Sequence, residues 1–158
     1  MWLYNGDIFT EEMIGENYGF VYVITNLING KKYIGRKYFW SKRTLPPLKG
    51  KTRKRHVKYP SNWQDYWSSS KIIWAEIEKY GQENFKREIL SLHPDKRETN
   101  YGEIAEQVMC NVLEARDENG ERIYYNENIL SKFYPSKNYG QTRIVEHEDR
   151  VKRSQSLL

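Results

Sequence analysis

The chain has 158 residues, room for one compact domain, and 38% of them are hydrophobic, enough for a modest core. It contains no long apolar run and no basic-then-apolar N-terminal segment, so we expect neither membrane insertion nor export. The single cysteine, Cys110, excludes an internal disulfide and a cysteine-based zinc site. We therefore expect a reduced, cytoplasmic protein.

Positive charge is concentrated in one part of the chain. Residues 1–30 contain four acids and no Lys or Arg, whereas residues 31–64 contain twelve Lys or Arg and no acid. Residues 65–127 carry fourteen acids against eight bases. A basic block with such sharp limits is typical of a surface that binds a polyanion, the alternative being a solvated lysine-rich face.

The first part of the chain predicts an arm followed by a hairpin. Residues 1–18 mix apolar side chains with acids and predict a short N-terminal packing arm. Residues 19–25 are β-branched or aromatic and predict a strand, for which residues 31–37 provide the return strand. Asn29-Gly30 is the turn signal between them, because both residues tolerate a positive φ.

The middle of the chain contains a basic segment and then a helix. Pro46-Pro47 would end any helix begun at Tyr38–Arg43, and Lys49–His56 predicts a basic loop. The run of serines at 68–70 provides N-cap candidates for a helix over 71–80. Gly81 then suits the position just after its last turn.

A strand and a second helix follow. Phe85–Leu92 predicts a third strand. Asn100 followed by Glu103 resembles a capping box and predicts a helix over 100–116. The apolar stripe that this helix would bury consists of Ile104, Ala105, Val108, Met109, Val112 and Leu113.

Together these elements predict an α/β (α+β) domain over residues 19–135, with a small, mainly antiparallel three-stranded sheet flanked by helices. Residues 136–158 are predicted to be a polar C-terminal tail. From Gln141 onward the chain has few apolar anchors, so we expect fraying or disorder there.

The hairpin carries a recognisable pattern of residues. Tyr22 and Tyr33 lie eleven residues apart, Tyr33-Ile34-Gly35 is intact, and Arg43 follows ten residues after Tyr33. This pattern, with the later run Tyr66–Ser70, resembles the GIY-YIG nuclease family, most closely its small, free-standing, phage-encoded members. The resemblance covers roughly residues 19–130. It implies the family's α/β fold and, for a phage protein, a location in the host cytoplasm.

Two positions depart from the family pattern. Phe20-Val21 precede the first tyrosine, where the family has Gly-Ile, and Gly19 lies one place earlier. Pro47 stands where many members have a histidine, and His56 is the only substitute we can suggest.

The resemblance implies a metal-dependent DNA endonuclease that hydrolyses phosphodiester bonds, by nicking or by double-strand cleavage. Glu106 would hold a divalent metal, Mg²⁺ or Mn²⁺, and Arg43 would orient the phosphate. A tyrosine would activate water, with Tyr22 slightly favoured over Tyr33. The full catalytic set implied by the resemblance is Tyr22, Tyr33, Lys31, Arg43, Glu106 and Asn126.

These residue types suit phosphodiester hydrolysis. A tyrosine is a general base only if its pKa falls well below about 10, and the neighbouring Lys31, Lys32, Arg36 and Lys37 are expected to lower it. An arginine can clamp a phosphate with two hydrogen bonds, which lysine cannot do. A single carboxylate can hold a magnesium-like ion that keeps most of its waters.

Strand geometry limits how the two tyrosines can meet. Side chains alternate between faces, so Tyr22 and Tyr33 share a face only if paired residue numbers sum to an odd value. With a two-residue turn at Asn29-Gly30, paired residue numbers sum to 59, and the two tyrosines share a face but lie four residues out of register. A loop centred on Leu27-Ile28 gives 55, which places the tyrosines opposite each other about 5 Å apart, and this is the register we expect. A bulge at Gly30 would instead separate them.

Helix position decides between two acids. If Asn100 is the N-cap, the Glu103 carboxylate is occupied by a hydrogen bond within the capping box. Glu106 then lies one turn further on, at the margin of the apolar stripe, where its carboxylate could point into a cleft. This favours Glu106 as the ligand.

The basic block predicts a DNA-binding surface that contacts phosphates without reading sequence, as a monomer or homodimer. Two other functions stay open, namely a catalytically inactive DNA-binding protein on the same scaffold and a protein-interaction module. The residues predicted to contact DNA are Lys37, Lys42, Lys49, Lys51, Arg53, Lys54, Arg55 and Lys58.

Overall fold

The computed structural model describes residues 1–137, so the tail predicted for 136–158 lies outside the described residues from position 138 on. Two α-helices occur within the described residues, α1 (Lys71–Tyr80) and α2 (Lys96–Met109). The strands are β1 (Leu3–Tyr4), β2 (Asp7–Ile8), β3 (Gly19–Asn26), β4 (Lys32–Tyr38), β5 (Trp40–Leu45), β6 (Arg55–Pro60) and β7 (Phe85–His93).

The main sheet has five strands in the order β2-β1-β7-β3-β4. Its centre, β7-β3-β4, is antiparallel, which confirms the predicted α/β class and the predicted hairpin with its third strand. The sheet is larger than predicted, because the N-terminal arm adds β1, parallel to β7, and β2. Trp2 anchors this arm: its side chain is buried, and its Nε1 donates a hydrogen bond to the carbonyl of Trp63 over 2.8 Å.

Alternating side chains of β3 divide the core into two layers. Phe20, Tyr22 and Ile24 point to one face, where they pack with the α1 residues Ile73 and Ile77. The opposite face is a smaller apolar cluster made of Val21, Ile34, Val112, Leu113 and Ile129. Helix α1 has the predicted limits: the Ser70 hydroxyl caps it by accepting from the Ile73 amide, and Gly81 ends it at φ 86°.

The β3–β4 register differs from the one we expected. Tyr22 pairs with Gly35 and Ile24 pairs with Tyr33, so paired numbers sum to 57 rather than 55. The odd sum keeps both tyrosines on one face, as predicted. Tyr33 lies two residues before Gly35, the residue that is opposite Tyr22. The turn sets this register, because the Asn26 amide donates to the Lys31 carbonyl at 2.9 Å and four residues remain between them.

Helix α2 begins earlier and ends earlier than predicted. Asp95 is its N-cap, accepting from the Glu98 amide at 2.8 Å, so the predicted cap at Asn100 is wrong. The predicted stripe is wrong in part, since Val108 and Met109 are exposed. The helix instead turns Thr99, Glu103 and Gln107 towards the sheet, each one turn after the last.

The basic segment forms a loop at residues 49–54, as predicted, but strands flank that loop and no helix begins at Tyr38–Arg43. Strands β5 and β6 form a separate two-stranded antiparallel sheet, with Lys42 paired with Lys58 and Arg43 with Val57. β-branched and aromatic residues at 44, 57 and 59 favour this extended form over a helix. We call residues 40–60 the basic ribbon.

Candidate active site

The two tyrosines meet on the α1 face of the hairpin. Their ring centroids are 6.4 Å apart, and the edge of Tyr66 approaches Tyr22 with the centroids 6.2 Å apart. Tyr22 is 1% exposed, whereas Tyr33 is only partly buried and reaches the surface. Of the two phenols, Tyr33 is therefore the one better placed to touch a substrate.

Gly35 makes room for this pair. A Cβ at position 35 would lie 2.5 Å from the Tyr22 hydroxyl oxygen and 3.0 Å from the ring of Tyr33. No larger residue fits there while both rings keep their places. The absence of a side chain lets the Tyr22 hydroxyl pack closely over β4, and Gly35 lines the smaller of two neighbouring cavities.

The two cavities have volumes of about 290 and 420 Å³, and Tyr33, Arg36, Ser69 and Glu103 line both of them. The Arg36 guanidinium forms an ion pair with the Glu103 carboxylate, whose side chain is 13% exposed. Burial raises the pKa of Glu103, and the charge of Arg36 opposes that rise. A phenol, a cation and a carboxylate thus share one cleft.

The structure places the predicted glutamate, Glu106, and the predicted arginine, Arg43, outside the two cavities. Glu106 lies one turn beyond Glu103 on α2, where its carboxylate accepts a hydrogen bond from the Cys110 thiol at 3.7 Å. Arg43 lies on the basic ribbon with its guanidinium 5.0 Å from the ring centroid of Tyr59. Among the described residues, Glu103 and Arg36 are the acid and the arginine that the cavities bring together.

Of the two other predicted catalytic residues, Asn126 lines the larger cavity together with Tyr33 and Glu103, whereas Lys31 lines neither cavity. Lys31 lies in the hairpin loop and pairs with Glu121 at the surface, 3.5 Å away. The Asn126 side chain is buried, and its amide both donates to the carbonyl of Ile34 (2.8 Å) and accepts from the amide of Ile34 (3.0 Å). Asn126 thereby satisfies the outer edge of β4 and holds the strand that carries Tyr33 and Gly35.

Lys37 is the lysine nearest to the tyrosines. Its Nζ lies 4.1 Å from the ring centroid of Tyr66 and donates to Asn62 at 2.8 Å. Burial lowers its pKa. Because Lys37 and Tyr33 flank Gly35 on the same face of β4, the structure places this predicted DNA contact beside the phenols.

Burial outweighs the basic neighbours that were expected to lower the tyrosine pKa values, although the charge of Arg36 does lower the pKa of Tyr33 as expected. Burial raises the pKa of Tyr22 well above its ordinary value, and burial also raises the pKa of Tyr33. Hydrogen bonding with the Ser68 hydroxyl opposes both shifts without cancelling them. Both phenols therefore keep their protons at neutral pH.

The buried Tyr22 phenol predicts a loss of stability in alkali. Its pKa is about 10 in the unfolded chain and higher in the fold, so the stability present below pH 10 falls as pH rises, by about 1.4 kcal/mol per unit for this group. Tyr22→Phe should remove that group's share of the slope in denaturant unfolding between pH 9 and 11. Tyr101→Phe, at a 69% exposed position, should leave the slope unchanged. Equal slopes in both variants would contradict the placement of Tyr22.

A buried arginine holds the loop that closes the site. Arg87 is 5% exposed, stacks between Trp2 and Trp67, and donates to the carbonyls of Gln64 (3.1 Å) and Tyr66 (2.7 Å). Burial lowers the pKa of Arg87 to about 10, so it stays charged at neutral pH. It fixes the segment that delivers Tyr66, Ser68 and Ser69 to the tyrosine pair.

Sequence reasoning missed four of these residues in the site, namely Arg36, Tyr66, Ser68 and Glu103. The sequence identified Arg36 as a basic neighbour of the tyrosines but not as a phosphate ligand, and it identified Ser68 as a helix-cap candidate. Ser68 has a φ of 115°, a strained value for a residue with a side chain, beside both phenols. Only the run Tyr66–Ser70, noted for its resemblance, pointed to this loop.

The donor set limits the metal that the site could hold. Within residues 1–137 no group of three or more His, Cys, Asp or Glu side chains is arranged to bind a metal. Glu103 is the buried acid at the cleft, and Glu127 lines the larger cavity from its rim. Such a sparse oxygen set suits Mg²⁺ or Mn²⁺, which keep several waters, and does not suit zinc.

A hairpin that carries two tyrosines around a glycine gap, closed by a glutamate on a helix, defines a nuclease domain of the GIY-YIG class. The chain belongs to this family: the family model described as "Putative endonuclease segE, GIY-YIG domain" matches residues 2–129.

A named phage protein is similar to this chain. It is the "Putative endonuclease segE" of Enterobacteria phage T4, 41% identical over 73 residues. The match covers 46% of this chain but only 26% of the T4 protein. No solved structure matches the chain. Separately, none of the helices within residues 1–137 has the length and apolar character needed to cross a bilayer.

Proposed function

We propose that this chain is a metal-dependent DNA endonuclease whose active site is the cleft between β4 and α2. The observation that carries the proposal is the meeting of Tyr33, Arg36 and Glu103 in one cavity beside the buried Tyr22. Family membership supports the class of reaction. The roles below replace those first expected for Arg43 and Glu106.

Arg36 and Glu103 form an ion pair that a substrate can split. The guanidinium is the natural ligand for a scissile phosphate, which it can hold with two hydrogen bonds. The carboxylate is the natural ligand for Mg²⁺ or Mn²⁺, and Gln107, whose amide lies 3.5 Å from it, keeps it oriented. On substrate binding, Arg36 would pair with the phosphate and Glu103 with the metal ion, so neither charge would be left unpaired in the cleft.

The bound ion would supply Lewis-acid stabilisation of charge on the phosphate and lower the pKa of a water. Tyr33 reaches the cavity and can hold that water through its hydroxyl. Tyr22 and Ser68 lie behind it and fix the orientation of its ring, because Ser68 hydrogen-bonds both phenols. Lys37 adds positive charge beside the phenols, and positive charge favours proton loss from a phenol.

Plasmid cleavage tests this proposal. With Mg²⁺ the full chain should convert supercoiled plasmid to nicked or linear DNA, and EDTA should stop the conversion. Tyr33→Phe should cleave about 100-fold more slowly or worse, in the range for loss of a group that handles the proton. Tyr101→Phe, which changes an exposed phenol that lines neither cavity, should cleave normally. Absence of any cleavage with Mg²⁺ or Mn²⁺ would overturn the proposal.

The same assay separates the alternatives. A protein that binds DNA but leaves plasmid intact would be the inactive scaffold, and one with no salt-sensitive DNA binding would be an interaction module. The cleft favours the enzyme, because a binding module has no use for a buried carboxylate that faces two phenols. One cleft per chain predicts nicking by a monomer, and cleavage of both strands would require a homodimer.

A further inference from the structure

We infer that the basic ribbon enters the major groove of the DNA duplex on which the cleft acts. This inference deepens the proposed function and rests on it. The ribbon contains eight Lys or Arg and no acid. None of those eight cations takes part in an ion pair within residues 1–137.

The ribbon is exposed on both faces. Every side chain from Ser41 to Tyr59 is exposed or only partly buried, and Trp40 at the base of the ribbon packs against the core. Lys42 and Lys58 lie directly opposite each other, an arrangement that destabilises an isolated pair of strands. A polyanion with closely spaced charges, such as the DNA on which the cleft is proposed to act, would remove that repulsion.

Ordered contacts hold cations on both faces at the base of the ribbon. The Nζ of Lys58 lies 4.1 Å from the ring centroid of Trp40 on one face, and Arg43 lies over Tyr59 on the other. These cation–π contacts reduce the conformational freedom that binding must remove. Lysines and arginines at 49, 51, 53 and 54 occupy the loop at the tip.

The shape of the ribbon favours a groove over a flat backbone contact. Its strands of six residues reach roughly 20 Å, and two strands with their side chains fit a major groove about 12 Å wide. The ribbon continues directly from β4, with Phe39 as the link, and Ser61 ties its return to the carbonyls of Phe39 (2.8 Å) and Tyr38 (2.6 Å). It therefore starts beside the cleft, which suits a groove contact next to the scissile phosphate.

A-form RNA should not accept the ribbon, because its major groove is deep and narrow. Single-stranded DNA offers no groove at all. Contacts to phosphates alone would bind the DNA and RNA duplexes with similar strength. Preference among nucleic acids of equal length therefore distinguishes insertion in the groove from a charged surface.

The test is binding of the full-length Glu103→Gln variant to fluorescent 20-base-pair DNA in EDTA. Thymines with a bulky neutral group on C5 should weaken binding at least about tenfold, because that group fills the major groove. Guanines with a neutral alkyl group on N2, which fills the minor groove, should change binding little. Single-stranded DNA and duplex RNA should bind at least about tenfold more weakly than duplex DNA.

A shortened ribbon is the matched control. Replacing residues 44–56 by Asn-Gly removes the distal part of the ribbon and leaves the core untouched, which thermal unfolding would verify. This variant should bind both modified duplexes equally. Equal effects of C5 and N2 groups on the intact ribbon would overturn the inference, even if plasmid is cleaved. Groove-dependent binding without any cleavage by the unmutated chain would instead overturn the proposed function.

Discussion

Glu103→Gln should reduce Mg²⁺-dependent plasmid cleavage about 1,000-fold, the size of effect found when a group that stabilises developing charge is removed. The change keeps the shape of the side chain and removes only its charge. The cleft then loses the anionic ligand that faces Tyr33 and Arg36. The measurement is the single-turnover rate of loss of supercoiled plasmid at saturating protein.

Glu106→Gln is the matched control, one helical turn further along α2. Its carboxylate accepts from Cys110 and lines neither of the two cavities. This variant should cleave at close to the unmodified rate. A large loss with Glu106→Gln and a small loss with Glu103→Gln would restore the assignment first suggested by the resemblance, and would show that α2 is rotated or shifted relative to this structure.

Gly35→Ala should abolish most cleavage and also destabilise the fold. The new methyl group would lie 2.5 Å from the Tyr22 hydroxyl oxygen. Tyr22 is buried, so its ring cannot move aside without displacing core residues. Overpacking of this kind costs about 2 kcal/mol. A displacement of either phenol by about 1 Å would reduce the cleavage rate about 100-fold. Denaturant unfolding and cleavage at 20 °C, where the variant stays folded, would measure the two effects separately.

Gly120→Ala separates instability from damage to the site. Gly120 has a φ of 77° and empty space around its missing Cβ, so alanine there costs about 1 kcal/mol through backbone strain alone. This variant should lose stability and keep its cleavage rate. If Gly35→Ala also cleaves normally while folded, the gap at position 35 has no part in the chemistry.

Local signals in the sequence were sufficient for the elements that local chemistry determines. Helix α1 lies between a serine cap and a glycine stop, and the structure has both. The hairpin strands and β7 are rich in β-branched and aromatic residues, which predicted them correctly. The shared face of Tyr22 and Tyr33 followed from strand parity alone.

The start of α2 was ambiguous because the chain offers two caps of the same kind. Asp95 precedes Glu98 by three residues, and Asn100 precedes Glu103 by three residues. The structure uses the first, which frees Glu103 from capping and turns it into the cleft. A shift of one turn thereby changed which glutamate was assigned to the site.

The register and the arginine depended on contacts between distant parts of the chain. Asn26 and Asn29 both donate to the hydroxyl of Tyr125, almost a hundred residues away, and this fixes the four-residue turn. Arg36 is placed by its ion pair with a helix that sequence patterns had positioned wrongly. Neither contact leaves a signal in the local sequence.

Binding of Mn²⁺ in the presence of an uncleavable duplex is the most direct measurement of the central claim, that Glu103 and the cleft around Tyr33 hold the catalytic ion. Electron paramagnetic resonance should detect one bound ion per chain in the unmodified protein, in Glu106→Gln and in Tyr33→Phe. Glu103→Gln should lose that ion while it still binds the duplex. Undiminished Mn²⁺ binding by Glu103→Gln would contradict the account.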